Sequence, residues 1–143
     1  MALALARAGA TVILWARRAD RLQQVERTIQ AFGSPSLAQG VDVTDPRVVR
    51  QAVAKALRRF RHIDILVNNA GIWGGDPMVR LDLAVWNEVL AADLTSVFLV
   101  SQSVVPSMIR RRYGKIINIS STSGILAHPE GRPMGRPRPA SCT

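Results

Sequence analysis

The chain has 143 residues, a length typical of one domain, and its 48% hydrophobic and 20% charged residues exclude an intrinsically disordered protein. A single cysteine, Cys142, excludes an internal disulfide framework and is compatible with a reducing compartment, so we expect a cytoplasmic protein. No uninterrupted apolar run reaches the roughly 18 residues of a membrane span, and no basic leader precedes the apolar start. We therefore predict neither a membrane partner nor a signal peptide.

The formal net charge is +9, and arginine supplies 17 of the 19 basic residues. A nucleic-acid interface needs cations gathered on one face, whereas along this chain they are scattered, apart from Arg17–Arg18 and the groups within 58–61 and 110–112. The last two groups close predicted helices, where cations stabilise the negative end of the helix dipole. We therefore predict no nucleic-acid partner.

Helices and strands are predicted to alternate along the chain. The elements, in order, are a helix over 2–8, a strand over 11–16, a helix over 20–32, a weaker strand over 36–41, a helix over 45–60, a strand over 63–67, a loop over 72–80, a helix over 83–112 and a strand over 115–119. Asp45 is the predicted N-cap of its helix, with Pro46 at the first helical position.

Fully apolar strands that alternate with helices predict a parallel sheet covered on both faces, which is the doubly wound, Rossmann-like α/β fold. In the long helix we expect an interruption near Ala92–Asp93, a kink at Pro106, and Trp86 and Val89 on the core-facing side. Residues 129–143 hold four prolines and three arginines and are predicted to be a disordered tail. The predicted division is a partial domain over 1–128 and a tail over 129–143.

Small or hydrogen-bonding residues follow all four predicted strands, where a doubly wound sheet binds its ligands. They are Ala16–Arg17–Arg18, Asp42–Val43, Asn69–Ala70–Gly71 and Ser120–Ser121. This arrangement suits a nucleotide that lies across the sheet edge. Each motif also has a structural explanation: Asp42 competes with Asp45 to cap the next helix, and Asn68 and Asn69 can be turn residues. We assign no metal site.

Together these segments resemble the short-chain dehydrogenase/reductase family. The matching stretches are ALALARAGATVILWARRADRL, DVTD, DILVNNAG and GKIINISSTSG, and the resemblance covers Met1 to about Pro129. It implies an NAD(P)-dependent oxidoreductase that passes hydride between a nicotinamide and the carbonyl or hydroxyl group of a small molecule. It also implies a parent family that is usually homo-oligomeric.

The resemblance assigns cofactor roles by position. Arg17 and Arg18 stand where members that use NAD keep an aspartate, so NADP(H) is favoured over NAD(H); the alternative is that both arginines are merely solvated. Asp42 and the Val43 backbone correspond to the adenine contact. The cofactor ribose would lie against Asn69, Ala70 and Gly71.

The catalytic positions are Ser121, which would hydrogen-bond the substrate oxygen, and Asp93, which stands in place of the family's helix asparagine. Ser120 and Ser123 compete with Ser121 for the assignment. Asp93 can still hold a water but cannot donate a hydrogen bond, which is a departure from the family pattern.

Two family features are absent. The glycine-rich phosphate turn and the first strand precede the helix that here begins at Met1, so we expect a sheet that lacks a central strand. The catalytic tyrosine and lysine of the YxxxK motif would fall at Met134 and Arg138, and the single tyrosine, Tyr113, comes before Ser121. Codons for Met134–Cys142 can be chosen so that a frame change reads Tyr-Gly-Ala-Ser-Lys, which predicts a frameshift near Glu130–Gly131.

We therefore expect an NADP(H)-preferring short-chain dehydrogenase/reductase that is truncated, frameshifted and inactive as written. The alternative is a non-catalytic remnant that binds or pairs with full-length relatives. An unrelated Rossmann-like transferase is disfavoured, because its strand-end motifs would differ from NNAG and INISS.

Overall fold

The structure is a computed structural model that describes residues 1–73 and 78–121. Its elements are α1 (Ala2–Arg7), β1 (Val12–Ala16), α2 (Ala19–Ala31), β2 (Ser36–Gly40), α3 (Pro46–Phe60), β3 (Ile65–Asn68), a 3-10 turn (Met78–Arg80), α4 (Leu83–Leu90), a π-helical segment (Ala91–Thr95), α5 (Ser96–Arg111) and β4 (Lys115–Asn118). The predicted alternation of helices and strands is confirmed. The predicted tail over 129–143 lies outside the described residues.

Local sequence signals set several element boundaries. Gly9 and Gly33 have φ angles of 88° and 75°, a left-handed conformation that glycine adopts without steric cost, and they follow α1 and α2. The Asp45 carboxylate accepts hydrogen bonds from the backbone N–H groups of Arg47 at 2.7 Å and Val48 at 3.2 Å. This confirms Asp45 as the N-cap of α3, with Pro46 at the first helical position.

The four strands form two parallel pairs. β1 pairs with β2 from Val12 opposite Ser36 to Ala16 opposite Gly40. β3 pairs with β4 in the same way, and Asn68 lies opposite Asn118 at the end of that ladder. Within the described residues no ladder joins the two pairs, so each of the four strands keeps one unpaired edge. This arrangement agrees with a sheet that lacks a central strand.

Two hydrophobic clusters hold these elements together. The smaller one centres on Ala6, Val12 and Ile29, where α1 and α2 cover one face of β1. The larger one links the two strand pairs through α3 and α5. Its buried members are Val41, Val49, Ala52, Val53, Leu66, Val100, Val104 and Met108, with Trp15 packed against them. Side chains of α3 and α5, rather than strand hydrogen bonds, therefore connect the two pairs.

The prediction that the strands are covered on both faces is wrong for the second pair. Every residue of β4 is exposed, and Ile65 of β3 keeps 47% of its surface accessible. Trp86, which the sequence placed on a core-facing side, is 41% exposed. The reason is that, among the described elements, α5 packs on β3 and no other helix has a comparable contact with β3 or β4.

The predicted long helix runs without a break from Leu83 to Arg111 and continues through Pro106. The predicted interruption near Asp93 is a π-helical segment rather than a break. Within the described part of the chain this helix is long and apolar enough to cross a membrane by length and composition alone, although polar residues interrupt its apolar runs. Core helices of soluble proteins pass the same test.

Candidate functional site

The carboxyl ends of β1 and β2 bring Arg17 and Asp42 together. Asp42 Oδ1 accepts hydrogen bonds from Thr44 N at 2.9 Å and Thr44 Oγ1 at 2.7 Å. These two bonds, and to a smaller extent the positive charge of Arg17, hold the pKa of the Asp42 carboxyl below its usual value. Asp42 thus carries its negative charge beside a cationic side chain. The alternative that it caps α3 is wrong, because Asp45 caps that helix.

Arg17 and Arg18 lie between the end of β1 and the start of α2, and both side chains are exposed. Arg18 is the N-cap residue of α2, and its side chain makes no capping hydrogen bond. The first backbone N–H groups of α2 add partial positive charge at the same strand end. This end of the first strand pair can therefore bind a negatively charged group, and the Asp42 carboxylate lies at the same strand end.

A polar network holds the carboxyl ends of β3 and β4. The buried Asn68 donates from Nδ2 to Asn118 Oδ1 at 2.8 Å and to Ser101 Oγ of α5 at 3.3 Å. The backbone O of Asn68 accepts from Ile119 N at 2.9 Å. Asn68 is therefore structural, whereas the Asn69 side chain is exposed and available to a ligand. Sequence reasoning missed Asn118 and Ser101, although the two apolar runs ILVN and KIIN both end in asparagine.

Asp93 is fixed against the turn that follows β3. Its Oδ1 accepts a hydrogen bond from Ile72 N at 2.8 Å. A Cβ atom added to Gly71 would lie 3.3 Å from that oxygen, so only glycine lets the Asp93 carboxylate approach the turn without crowding. π-helical segments shift side chains relative to an α-helix and are frequent at functional sites. The π-helical segment thus carries Asp93 to the Asn69–Ala70–Gly71 turn.

Ser120 and Ser121 follow β4, directly after Ile119, and are exposed at the same end as the turn. Ser123, which competes with Ser121 for the catalytic assignment, lies outside the described residues. Tyr113 lies at the other end of β4, separated from Ser121 by the strand's four residues, which span roughly 13 Å. The structure therefore separates the single tyrosine of the chain from the serine.

The predicted site residues fall into two groups at strand ends. Arg17, Arg18, Asp42 and Val43 follow β1 and β2, and Val43 turns its side chain into the larger cluster and leaves its backbone at the edge. Asn69, Ala70, Gly71, Asp93 and Ser121 lie around the ends of β3 and β4. Across residues 1–73 and 78–121, no three His, Cys, Asp or Glu side chains group closely enough to hold a metal ion.

Comparison with known proteins identifies the family. The sequence model of the family described as short chain dehydrogenase matches residues 1–133. The chain belongs to the short-chain dehydrogenase family. It is 38% identical over 129 residues to gluconate 5-dehydrogenase of Gluconobacter oxydans, a match that covers 90% of this chain and 50% of that protein.

Solved structures show the same relationship. NAD+-bound xylitol dehydrogenase matches with a TM-score of 0.86 and 31% identity, over 90% of this chain and 50% of that one. A variant of actinorhodin polyketide ketoreductase with NADPH matches with a TM-score of 0.86 and 30% identity, over 91% of this chain and 51% of that one. The predicted Rossmann-like fold is confirmed. The chain spans about half the length of the relatives it matches.

Proposed function

We propose that the protein carries the cofactor site of an NAD(P)-dependent oxidoreductase, an enzyme that transfers hydride between a nicotinamide and the carbonyl or hydroxyl group of a small molecule, and that this site prefers NADP(H). The observation that carries the preference is the exposed Arg17 guanidinium, next to Asp42, at the carboxyl end of β1. The family membership and the two cofactor-bound structural relatives support the nicotinamide cofactor.

The adenosine end of the cofactor fits the first strand pair. A guanidinium binds a 2′-phosphate through charge-assisted, bidentate hydrogen bonds, and Arg17 is exposed for this contact with Arg18 beside it. Ala16 occupies a place where a carboxylate would repel the phosphate. Asp42 keeps one oxygen bonded to Thr44 and can accept from the adenine amine with the other, next to the Val43 backbone.

The reacting end fits the second strand pair. The bound nicotinamide supplies hydride chemistry, and the turn Asn69–Ala70–Gly71 would lie against the ribose. Ser121 would donate a hydrogen bond to the substrate oxygen and stabilise charge that develops there. Asp93 would act indirectly, by holding this turn in place, because its carboxylate accepts a hydrogen bond from the Ile72 amide.

Cofactor preference can be tested on the chain itself with the adenosine half of the cofactor. We expect 2′,5′-ADP to bind on the order of tenfold more tightly than 5′-AMP, because one charge-assisted hydrogen bond to a phosphate is worth about 1.5–3 kcal/mol. Arg17→Ala should remove the difference and Ala16→Asp should reverse it. Arg27→Ala, on an exposed position of α2, is the matched control. Equal affinities, or a preference that survives Arg17→Ala with Arg18→Ala, would disprove the NADP(H) assignment.

We further propose that the chain as written has no dehydrogenase turnover. A general acid is needed beside the substrate oxygen, and Tyr113 lies at the far end of β4 from Ser121. Assays with NADPH and a panel of ketones and aldehydes should equal the no-protein control. Turnover above that control would overturn this part of the proposal. We also propose that the protein is cytoplasmic, since a chain with the single cysteine Cys142 is compatible with a reducing compartment.

A non-catalytic protein that pairs with full-length relatives is the second candidate. It is favoured by exposed apolar side chains along the helix Leu83–Arg111, namely Leu83, Trp86, Leu94, Phe98 and Ile109. Light scattering of a mixture with a purified full-length relative should then show a joint complex, and Phe98→Lys should abolish it. Separate peaks would disprove this candidate.

A further inference from the structure

Two groups of arginines that are far apart in the sequence lie at one end of the fold. α3 and α5 pack side by side, and each ends in basic residues. Asp64 links them: its Oδ1 accepts from Arg111 at 2.7 Å, and its Oδ2 lies 3.1 Å from His62 Nε2. The Asp64 backbone O also accepts from Lys115 N at 2.9 Å. Tertiary contacts therefore gather charges that the sequence leaves scattered.

We call this surface the basic end. It consists of seven exposed cationic side chains, namely Arg58, Arg59, Arg61, Arg110, Arg111, Arg112 and Lys115. Asp64 is the one carboxylate among residues 58–64 and 108–116. Most of the net charge of the chain is thus concentrated at the ends of two neighbouring helices, and a single carboxylate compensates little of it.

The basic end also presents apolar surface. Ile109 and Tyr113 flank the arginines of α5 and are 68% and 51% exposed. Beside them lies an open concavity of about 540 Å³. Its lining includes Val105, Ile109, Tyr113 and Ile116, with Arg112 and Lys115 also contributing. Exposed aliphatic side chains between cations are typical of segments that lie in the interface of an anionic membrane.

We propose that the basic end is a docking surface for a membrane that contains anionic phospholipid. The arginines bind headgroup phosphates, and Ile109 and Tyr113 enter the interface between them. A nucleic acid would bind the cations equally well, but it offers little apolar surface for Ile109, which is 68% exposed. This exposed isoleucine therefore favours a lipid surface as the partner. The basic end lies at the amino ends of β3 and β4, whereas Asn69 and Ser121 lie at the carboxyl ends, so docking leaves the candidate site open.

This proposal replaces the sequence-based expectation of no membrane partner, and it does not depend on the proposed activity. The test is co-sedimentation of the full 143-residue chain with phosphatidylcholine vesicles, with and without phosphatidylglycerol. We expect binding only to the anionic vesicles, and weaker binding as salt is raised. The triple variant Arg110→Gln, Arg112→Gln and Lys115→Gln spares the Arg111–Asp64 contact and should lower partitioning on the order of 100-fold.

A matched control removes the same charge elsewhere, through Arg21→Gln, Arg27→Gln and Arg50→Gln, and should lower partitioning far less. Arg58→Gln with Arg59→Gln, on the other helix, should lower partitioning on the order of 30-fold, since it removes two charges rather than three. Circular dichroism checks that each variant is folded. The proposal is overturned by absent binding, by equal binding to neutral vesicles, by an equal loss in the control, or by duplex DNA that binds more tightly than the anionic vesicles at the same salt.

Discussion

The two strand pairs of this molecule are supported in different ways. β1 and β2 lie between α1 and α2 on one face and the α3–α5 cluster on the other. In the second pair α5 packs on β3, and every residue of β4 is exposed. The first pair is thus stabilised mainly by apolar burial on two faces. The second depends on one apolar face and on the network of Asn68, Asn118 and Ser101.

This difference matches the groups that each pair presents. The first pair carries Arg17 and Asp42, whose positions follow from short helix–strand units close in sequence. The second carries Asn69, Asp93 and Ser121, which come from three separate segments. The discrimination that we propose for the 2′-phosphate of adenosine should therefore persist in the first pair when the second is perturbed.

The largest effect is expected at Ile29, which is fully buried between α2 and β1. Ile29→Ala should lower the free energy of unfolding by about 2–5 kcal/mol, since it removes buried methyl groups and leaves a cavity. Urea denaturation of both proteins measures the change. The same substitution at the exposed Ile109 should change stability by less than about 0.5 kcal/mol. Similar losses at both sites would mean that the first pair is not held by its buried face.

Gly114 tests packing at the start of the second pair. A Cβ atom there would lie 2.7 Å from Met108 Cβ, so Gly114→Ala should destabilise the protein by about 1–3 kcal/mol through overpacking. Gly40 at the end of β2 has no atom within 4 Å of an added Cβ, and Gly40→Ala is the matched control. Thermal melts should separate the two variants, and indistinguishable melting temperatures would contradict the close contact of Gly114 with Met108.

The polar network is tested by two adjacent asparagines. Asn68→Ala should cost about 1–3 kcal/mol, because it removes both hydrogen bonds that the buried Asn68 side chain donates, to Asn118 and to Ser101. Asn69→Ala, at an exposed side chain, should change stability by less than about 0.5 kcal/mol. Both are read from urea denaturation. If Asn68→Ala is as mild as Asn69→Ala, the network does not support the second pair.

The smallest effect concerns Asp42 and pH. Its folded-state pKa lies below that of a free aspartate, because the ionised carboxyl accepts hydrogen bonds from Thr44. The resulting stabilisation is fully present above the unfolded-state pKa and is lost as pH falls through the folded-state pKa. The melting temperature of wild type should exceed that of Asp42→Asn at neutral pH, and the difference should shrink in acid. Glu88→Gln on α4 is the control. A difference independent of pH would show that the carboxylate charge is not involved.

The local features of this fold follow from short sequence signals. Asp45 and Pro46 start α3, Gly9 and Gly33 follow α1 and α2, and apolar runs mark β1 and β3, because each of these signals acts within a few residues. The motifs that carry the family resemblance are equally local, and the family was recognisable from them. The candidate residues at the strand ends followed from the general rule that such sheets bind ligands there.

Tertiary structure alone decided which side chains meet. The bonds of Asn68 to Asn118 and of Asp93 to the Ile72 amide join residues 50 and 21 positions apart, and they depend on strand register and on the π-helical segment. The exposure of β4 and the gathering of the basic end also depend on which elements pack together. The sequence pattern specifies that a surface is apolar or charged. Which segment packs against that surface is fixed only when long-range contacts bring distant parts of the chain together, and no local sequence signal encodes this pairing.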